Sequence, residues 1–385
     1  MVFIDWINLS QQFPGTLSAD GGELLPSIPA VDSGFVAKIA RDEDSGELVE
    51  EPEWMTTSRL QHRGSFESSI MLKSDGFRVD LSGNVGRLNR PDNLFNLQWD
   101  ETLAQASAFA AQHGLPPFSA GDQMLNANVS AYDAKHGNFE IWTGATVSML
   151  HLTENYATGS AGNAMAFIDW VATQSKSRVK RGRAGESTVV FGTKGSARSY
   201  LKIYIKADEM LAHAKDHGRS TAEVKQDPVY QYCQQNGVVR VELEARRLLL
   251  RDHQLRFVGD ITMQKLETLF RTEVDPLLNR TREDITRIDL ETLDVPPGVR
   301  MTAAAYLRGE DVRASLSRRT FFRYAKQLRE YGIDISEPLP NASKFTSLVK
   351  VVEIAPIHDV PDWYWQHQAR MAAVAANSEP IEVAA

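Results

Sequence analysis

Two kinds of reactive side chain alternate along one short segment of the chain. Residues 200–206 read Tyr-Leu-Lys-Ile-Tyr-Ile-Lys, the pattern of a β-strand with apolar side chains on one face. The other face then carries two phenols and two ammonium groups, from Tyr200, Lys202, Tyr204 and Lys206. A phenol has a pKa of about 10, but a neighbouring cation favours the phenolate and also attracts a phosphate. The segment therefore predicts either a tyrosine that attacks a DNA phosphodiester or an ordinary strand with a solvated polar face.

A second segment places carboxylates on a strand face. Along residues 239–246, Arg240, Glu242, Glu244 and Arg246 alternate with apolar residues. Two carboxylates about 7 Å apart can bind Mg²⁺ or Mn²⁺, since these ions accept one or two carboxylates and leave positions for phosphate and water. A cross-strand ladder of salt bridges has the same pattern, so both interpretations stay open.

A third segment offers a histidine. His151 lies in a strand predicted over residues 146–152, and Glu154 follows it. Either side chain is a candidate metal ligand, although a single histidine on a strand is more often structural. Nucleases that bind metal through two histidines around a hydrophobic residue would need a histidine at Thr153, so that motif is absent.

Two groups of cations are candidates for DNA contact, because Lys and Arg bind the phosphate backbone. The first lies in a glycine-containing segment predicted as a loop and comprises Lys176, Arg178, Lys180, Arg181 and Arg183. The second lies on a predicted helix and comprises Arg318, Arg319, Arg323, Lys326 and Arg329. Residues 307–316 would be the first helix of a helix-turn-helix, with Ser317 as the N-cap of the second. A solvated basic face on a small helical bundle is the alternative.

The elements that must position these residues are strands and helices without a strict βα alternation. Period-two patterns predict strands over residues 1–10, 68–74, 77–81, 146–152, 187–191, 199–206, 238–245 and 349–354. Helical patterns cover residues 100–113, 161–174, 207–217, 262–270, 303–308 and 320–331. The chain is therefore predicted to be α+β, with a largely antiparallel sheet flanked by helices and a mainly helical C-terminal region. The expected division is 1–258, 259–370 and a disordered tail at 371–385.

Composition limits the classes of function. The 385 residues carry 42 Lys and Arg against 50 Asp and Glu, a net charge of −8, so any DNA contact must come from local patches. Cys233 is the single cysteine, which excludes an intramolecular disulfide and a cysteine zinc cluster and fits a reducing compartment. The sequence contains no apolar run of the length that a membrane span requires, and its start lacks the basic flank of a signal peptide.

The order of motifs resembles a known family. Residues 186–192 (Glu-Ser-Thr-Val-Val-Phe-Gly), 202–206 (Lys-Ile-Tyr-Ile-Lys) with Glu209, and 239–242 (Val-Arg-Val-Glu) are similar to the replication initiators of filamentous phages, the gene II protein family. They resemble more distantly the rolling-circle initiators of some Gram-positive plasmids. Further similar segments lie at residues 4–6, 92–95, 319–333 and 361–364. The matches run in the same order over most of the chain.

This resemblance implies roles for individual residues. Tyr204 takes the place of the nucleophile, with Lys206 and Glu209 at the other positions of a Tyr-x-Lys-x-x-Glu stretch and Tyr200 as the alternative nucleophile. Glu242 takes the place of an acidic residue with an implied role in metal binding. Relatives often carry Arg-Ile-Asp where this chain has Met-Leu-His at residues 149–151, so the remaining metal ligands stay open. The further candidates are His151, Glu154, Glu244 and Asp80.

The implied function is rolling-circle replication of phage DNA by a metal-dependent tyrosine endonuclease. Such an enzyme nicks the double-stranded origin, keeps the 5′ end as a phosphotyrosine, leaves a 3′-hydroxyl for polymerase, and later joins the single strand into a circle. The implied cofactor is Mg²⁺ or Mn²⁺. The implied partners are double-stranded origin DNA, single-stranded viral DNA, and the host helicase and polymerase, in the cytoplasm of the bacterial host. Residues 1–258 would form the relaxase-like nicking and joining domain, and residues 259–370 an origin-binding domain.

Two other functions fit the same residues. A non-catalytic DNA-binding regulator could keep the fold and lose the reaction. An RNA-binding sheet could stack bases on Tyr200 and Tyr204, although the carboxylates of Glu242 and Glu244 repel backbone phosphates unless a cation lies between them.

Overall fold

The computed structural model describes residues 1–18, 24–39, 52, 54–63, 69–125, 140–172, 174, 176, 179–278, 293–331, 333–336 and 354–377. Its strands are β1 (Phe3–Gln12), β2 (Thr16–Leu17), β3 (Leu24–Leu25), β4 (Ala30–Val31), β5 (Phe35–Lys38), β6 (Trp54–Thr57), β7 (Leu60–Arg63), β8 (Ser69–Asp75), β9 (Arg78–Gly83), β10 (Gln123–Leu125), β11 (Glu140–Trp142), β12 (Thr146–Ala157), β13 (Arg181–Arg183), β14 (Thr188–Phe191), β15 (Ser199–Ile205), β16 (Val238–Arg246) and β17 (Ala355–Pro356). Its helices are α1 (Trp99–Ala111), α2 (Ala161–Val171), α3 (Lys206–Ala212), α4 (Thr221–Gln226), α5 (Pro228–Asn236), α6 (Arg247–Asp252), α7 (Met263–Leu278), α8 (Pro297–Leu307), α9 (Val312–Ser315), α10 (Arg318–Glu330) and α11 (Asp362–Asn377).

The α+β class predicted from the sequence is confirmed. Neighbouring strands pair antiparallel, for example β1 with β9, β8 with β9 and β14 with β15. The predicted strands at 199–206 and 238–245 are β15 and β16, and β15 ends one residue early because Lys206 begins α3. Most of the strand predicted at 349–354 lies outside the described residues.

One compact unit comprises three parts of the chain: Met1–Val2, Leu152–Glu244 and Glu267–Pro361. Its strands follow the order β13, β14, β15 and β16, with the second half of β12 next. Leu201 and Ile203 of β15 are buried, and α2 packs against β14 and β15. This alternation leaves Tyr200, Lys202 and Tyr204 on the opposite, polar face of β15.

A glycine sets the position at which β16 begins. α5 ends at Gly237, whose φ of 56° lies in the left-handed region. A Cβ atom at Gly237 would lie 2.1 Å from the carbonyl oxygen of Ser160, so no other residue fits without movement of the backbone. The turn therefore fixes where β16, and with it Glu242, enters the sheet.

The C-terminal helices of this unit form a small core of their own. α10 contributes Phe321, Ala325 and Leu328, spaced so that they share one face of the helix. Ser317 caps α10 by accepting a 3.3 Å hydrogen bond from the amide of Thr320, as the sequence predicts. The prediction that residues 307–316 form the first helix of a helix-turn-helix is wrong, because α9 is a single turn within this range.

A second compact unit comprises Phe3–His151, Ala245–Leu266 and Asp362–Ala385. Its strands β1, β9 and β8 are antiparallel neighbours, and β4 and β7 both pair with β8. Leu9 and Leu81 lie opposite one another and are buried, and α1 packs on β1. The polar positions of the same strand pair lie opposite one another as Asn8 and Ser82, Ser10 and Asp80, and Gln12 and Arg78.

The two units are discontinuous in sequence, whereas the sequence predicts contiguous domains at 1–258 and 259–370. The tail predicted at 371–385 begins inside α11, which continues to Asn377, and residues 378–385 lie outside the described residues. α11 is amphipathic enough to pack, since Tyr364 and Gln368 on consecutive turns are both buried. Among the helices that the structure describes, none is long and apolar enough to cross a membrane.

Candidate active site

The hydroxyl of Tyr204 lies against a carboxylate of the neighbouring strand. Its Oη donates a hydrogen bond of 2.6 Å to Oε1 of Glu242. The contact forms because β15 and β16 are adjacent and both side chains project from the same face. The ammonium group of Lys202 lies 4.1 Å from the centre of the Tyr204 ring, the distance of a cation–π contact. A phenol, a carboxylate and a cation are thus gathered on one face of the sheet.

A second set of charges surrounds this pair. Lys206 and Glu209 form an ion pair of 2.8 Å in the first turn of α3. Nε of the fully buried Arg240 donates a 2.9 Å hydrogen bond to Asn155. Burial raises the pKa of Glu209, but the charges of Lys206, Arg240 and Lys202 outweigh it and lower that pKa to about 2. Glu209 is therefore a carboxylate at neutral pH, and the residues of the Tyr-x-Lys-x-x-Glu stretch share one electrostatic environment.

Tyr204 is almost completely buried, with 2% of its surface exposed. Burial, followed by the charges of Glu242 and Glu209, raises the pKa of Tyr204 well above its ordinary value, against a smaller opposing effect of Arg240. The sequence-based expectation that cations favour the phenolate is not met in this conformation, because desolvation and two carboxylates act more strongly than the cations. The phenol is protonated, and its proton points at Glu242.

Tyr200 is the more accessible of the two phenols on this face. It is half-buried, and burial followed by the charge of Glu244 raises its pKa. The face therefore carries two phenol and carboxylate combinations. The buried one is Tyr204 with Glu242, and the half-exposed one is Tyr200 with Glu244.

The predicted metal ligand Glu154 is a buried, ion-paired residue. The guanidinium group of Arg271 reaches its two oxygens at 2.5 and 2.7 Å. The terminal ammonium group of Met1 lies 2.8 Å from Oε1, and the hydroxyl of Tyr156 lies 2.5 Å from Oε2. Burial raises the pKa of Glu154, but these hydrogen bonds outweigh it and lower the pKa below its ordinary value. Because both oxygens are occupied, Glu154 does not fit the predicted role of a metal ligand.

Two other candidate ligands lie in the second unit. His151 stacks against Trp6, with ring centres 6.1 Å apart. Asp80 pairs with Arg78 at 2.8 Å. Neither residue belongs to the unit that holds Tyr204.

The carboxylates of β16 stay candidates for binding a divalent cation. Glu242 and Glu244 are both half-buried, and alternation places them on the same face. Within the described part of the chain, no three His, Cys, Asp or Glu side chains converge on a metal position. Mg²⁺ commonly binds through one or two protein carboxylates and completes its shell with water and substrate phosphates, so two carboxylates suffice.

The basic segment predicted as a DNA-binding loop is largely tied to the protein. Lys176 contacts Glu273 at 2.5 Å, and Arg183 contacts Asp169 at 2.8 Å. Residues 181–183 form β13 rather than a loop. Each of these ion pairs neutralises a cation that would otherwise attract a phosphate.

Within this segment, Arg181 and Lys180 differ most clearly in their exposure to solvent. Arg181 is buried and donates hydrogen bonds to the carbonyl oxygen of Gln174 and to the hydroxyl of Tyr306. This places Arg181 in a structural role and removes it from the DNA-binding surface. Lys180 is exposed, and Arg178 lies outside the described residues. Lys180 is therefore the cation of this segment that best suits DNA contact.

The second basic group is open to solvent. α10 exposes Phe322 and four predicted DNA-binding cations: Arg318, Arg319, Arg323 and Lys326. Arg329, on the same helix, hydrogen-bonds Asp334 and Ser336. A helix with a cationic, partly aromatic outer face suits contact with a nucleic-acid backbone.

The family-like motifs at the two ends of the chain form a buried network in the second unit. Asp5, only 7% exposed, accepts hydrogen bonds of 2.9 to 3.0 Å from the side-chain amides of Asn84, Asn93 and Asn96. None of these asparagines had a role predicted from the sequence. The sequence does contain a signal for this network: four asparagines lie within residues 84–96, which is unusual for a segment that becomes buried.

Tyr364 connects α11 to the same region. Its hydroxyl donates to Asp92 at 2.8 Å and accepts a 2.9 Å hydrogen bond from Arg90 and a longer one from the amide of Phe95. The ring of Phe95 packs edge-on against the ring of Tyr364, with centres 5.1 Å apart. Two motifs separated by about 270 positions thus meet in a structural contact rather than a catalytic one.

These features define a class of protein: an α+β fold whose sheet carries phenols beside carboxylates and whose helical region exposes a cationic helix. Comparison with known sequences specifies the family. The family model for the N-terminal part of the gene II replication-associated protein matches residues 4–264, and the model for its C-terminal part matches residues 288–369. Since the first match alone covers more than half of the chain, the chain belongs to this family of phage replication-associated proteins.

Individual relatives agree with this assignment. The gene II replication-associated protein of Enterobacteria phage I2-2 is 27% identical over 355 residues, which cover 87% of this chain and 92% of the relative. The protein of the same name from Escherichia phage If1 is 26% identical over 319 residues, covering 77% of this chain and 97% of the relative. No solved structure matches the chain. The resemblance to the gene II protein family is confirmed.

Proposed function

We propose that this phage replication-associated protein nicks one strand of a double-stranded origin through a tyrosine hydroxyl and so starts rolling-circle replication. The observation that carries the proposal is the 2.6 Å hydrogen bond from Tyr204 to Glu242. That distance is within the reach of a general base, and the proton to be removed already points at the carboxylate. Membership of a replication family supplies the substrate class, DNA.

The chemistry balances with groups that are present. Oη of Tyr204 attacks the phosphorus atom, its proton passes to Glu242, and the bond from phosphorus to the 3′ oxygen breaks. The 3′ oxygen takes a proton from water and becomes the primer end, and Glu242 gives its proton to the hydroxide that is left. The 5′ phosphate remains on the tyrosine as a diester, which conserves the bond energy. A 3′-hydroxyl can later attack this diester and reseal the strand without ATP.

The cations beside the tyrosine have a separate role. Lys202 covers the Tyr204 ring, and Lys206 is held by Glu209. An incoming phosphate competes for these ammonium groups, and displacement of Lys202 from the ring opens a path to the phenol. Cations at this position also stabilise the negative charge that develops on the phosphoryl oxygens.

Mg²⁺ or Mn²⁺ is proposed to bind between Glu242 and Glu244, the two half-buried carboxylates of β16. Bound there, the ion would neutralise charge on the phosphoryl oxygens. The proposed DNA contacts are Lys180 and the exposed cations of α10. The proposed partners are origin duplex, single-stranded viral DNA, and host helicase and polymerase in the bacterial cytoplasm.

The test is a nicking assay with tyrosine variants. Supercoiled DNA carrying the cognate phage origin is incubated with Mg²⁺ or Mn²⁺, and products are separated on a denaturing gel with and without protease. The wild-type protein is expected to relax the circles and leave a DNA adduct. Tyr204→Phe should abolish both products, and Tyr232→Phe, a half-buried tyrosine on α5, serves as the matched control.

The outcomes separate the two phenols. Loss of nicking in Tyr200→Phe with activity retained in Tyr204→Phe would assign the attack to the half-exposed phenol. Activity in both single variants and in the double variant contradicts a tyrosine nucleophile on β15.

A second function is favoured by one observation, the burial of Tyr204. A phenol with 2% exposure and a raised pKa suits a DNA-binding regulator that keeps the fold without the reaction. Such a protein would bind origin DNA, leave supercoils intact in several divalent metals, and behave identically as Tyr204→Phe.

A further inference from the structure

The second compact unit contains a polar cleft of about 380 Å³ that has no part in the proposed reaction. Its floor is the polar face of β1 and β9, where cross-strand pairing places hydroxyl and amide groups side by side. Asn8, Ser10, Gln12 and Ser82 supply these groups. Thr146 and Ser148 of β12 add two more hydroxyl groups to the cleft. With so many donors and so little apolar surface, the cleft suits a ligand rich in oxygen atoms.

Three arginines give the cleft a positive charge. Arg59, Arg78 and Arg256 line it, against the single carboxylate of Asp80. Asp80 already pairs with Arg78 at 2.8 Å. Arg59 donates a 3.3 Å hydrogen bond to the hydroxyl of Ser82, which is a neutral partner, and no carboxylate among the described residues pairs with it. Guanidinium groups in such a setting bind phosphate oxygens, often through two parallel hydrogen bonds.

Trp142 supplies an aromatic wall with a buried donor. Its indole ring stacks on Phe257, with ring centres 4.4 Å apart and an angle of 23° between the planes. Nε1 of Trp142 is buried, and within the described residues it has no hydrogen-bond acceptor. Because a buried donor without a partner is unfavourable, an acceptor atom of a ligand is a physical explanation for it.

We propose that this cleft binds the phosphodiester backbone of single-stranded DNA, as a second DNA site on the protein. The arginines hold the phosphate, and the hydroxyl and amide groups of the floor hold sugar and phosphate oxygens. The volume is near the lower end of the range of about 300–1,000 Å³ for ligand pockets, which admits a nucleotide unit of a strand. The proposal does not depend on the tyrosine reaction and can fail or hold independently of it.

The test is equilibrium binding without divalent metal, where no nicking occurs. Fluorescence anisotropy of a short labelled oligothymidylate is measured with the full-length protein over a range of salt concentrations. Arg59→Gln with Arg256→Gln is expected to weaken binding about tenfold at low salt and to reduce the slope of log K against log salt by about 0.7 per lost contact. Arg247→Gln with Arg251→Gln is the matched control, because it removes two exposed cations of the same unit outside the cleft.

A second variant guards against loss of folding. Ser148 is exposed and lines the cleft, so Ser148→Glu should leave the thermal midpoint unchanged while its carboxylate repels the strand. Weaker binding in this variant and in the double-arginine variant, with normal binding in the control, supports the proposal. Equal binding in all variants overturns it, as does an equal loss in the control pair. An equal weakening of duplex binding and of single-strand binding by the double-arginine variant, or full competition by thymidine monophosphate at equal concentration, also overturns it.

Discussion

Replacing Glu154 tests whether this buried carboxylate is structural or a metal ligand. Its side chain has 0% exposure and accepts hydrogen bonds from Arg271, Tyr156 and the ammonium group of Met1. Arg271 bonds both oxygens, in the bidentate geometry that makes such pairs strong. The contacts leave no oxygen free for a cation, so the expected effect of a substitution is on stability alone.

The structure sets the size of that effect. Removing one partner of a buried ion pair costs about 3–5 kcal/mol, because an uncompensated charge stays in the interior. In Arg271→Met the ammonium group of Met1 still neutralises Glu154, so a loss of about 2–3 kcal/mol in the free energy of unfolding is expected. Glu154→Gln removes the buried charge itself and leaves Arg271, which is 36% exposed and can be solvated, so the expected loss is about 1–2 kcal/mol.

The pH dependence shows whether the charge of Glu154 stabilises the folded protein. The pKa of Glu154 is lower in the folded protein than its ordinary value, so its contribution is complete above the ordinary pKa and is lost as pH falls through the folded pKa. The difference between the wild-type protein and Glu154→Gln should therefore be largest at neutral pH and shrink in acid.

The assay is urea unfolding at neutral and acidic pH, with calorimetric titration of Mg²⁺ into each folded variant. Asp169→Asn is a control for the loss of one carboxylate in the same unit, at a partly exposed ion pair. Unchanged stability of Glu154→Gln together with lost Mg²⁺ binding would refute the structural role. A difference that grows in acid would refute the electrostatic reasoning.

Other contacts give predictions of the same kind. Tyr364→Phe should lower the free energy of unfolding by about 1–3 kcal/mol in urea, because its hydroxyl belongs to a buried network; no change would mean that the network is dispensable. Lys206→Gln should raise the pKa of Glu209 from about 2, so the protein loses stability at neutral pH. Unfolding measured over a range of pH should then show a smaller loss of stability between the ordinary pKa of Glu209 and about 2. Arg181→Gln should cost about 1.5–3 kcal/mol while the folded fraction keeps its DNA affinity in gel-shift assays, whereas weaker binding would return Arg181 to the DNA surface. Arg323→Gln should leave the thermal midpoint unchanged and reduce the salt slope of duplex binding by about 0.9, and an unchanged slope would exclude contact at this position.

Part of the sheet could be predicted because some of its strands alternate apolar and polar residues along their length. β15 and β16 follow this rule, so the shared face of Tyr204 and Glu242 follows from the period of a strand. The alternation of residues does not show that the two strands are neighbours in the sheet. That adjacency was supplied by the family resemblance, in which both motifs contribute to one site.

Burial of side chains was harder to predict. Arg181 lies in a run of cations that looks like a phosphate-binding loop, yet it is buried beneath Tyr306, more than 120 positions away in the chain. Glu154 looks like a strand-end ligand but meets Arg271 on a distant helix. In both cases the deciding partner is far away in sequence, and local patterns carry no information about it.

The motifs at the chain ends show why a family-like residue need not be catalytic. Asp5 is buried and accepts hydrogen bonds from three side-chain amides, and Tyr364 joins Asp92 through its hydroxyl. Replacing any member would leave a buried polar group unsatisfied, so stability alone fixes these residue types. The pair of Tyr204 and Glu242 differs, because a phenylalanine opposite a half-buried carboxylate would leave an oxygen that solvent can reach. Packing therefore constrains this pair less than it constrains Asp5 or Tyr364, and the proposed reaction would use the phenol that lies 2.6 Å from the carboxylate.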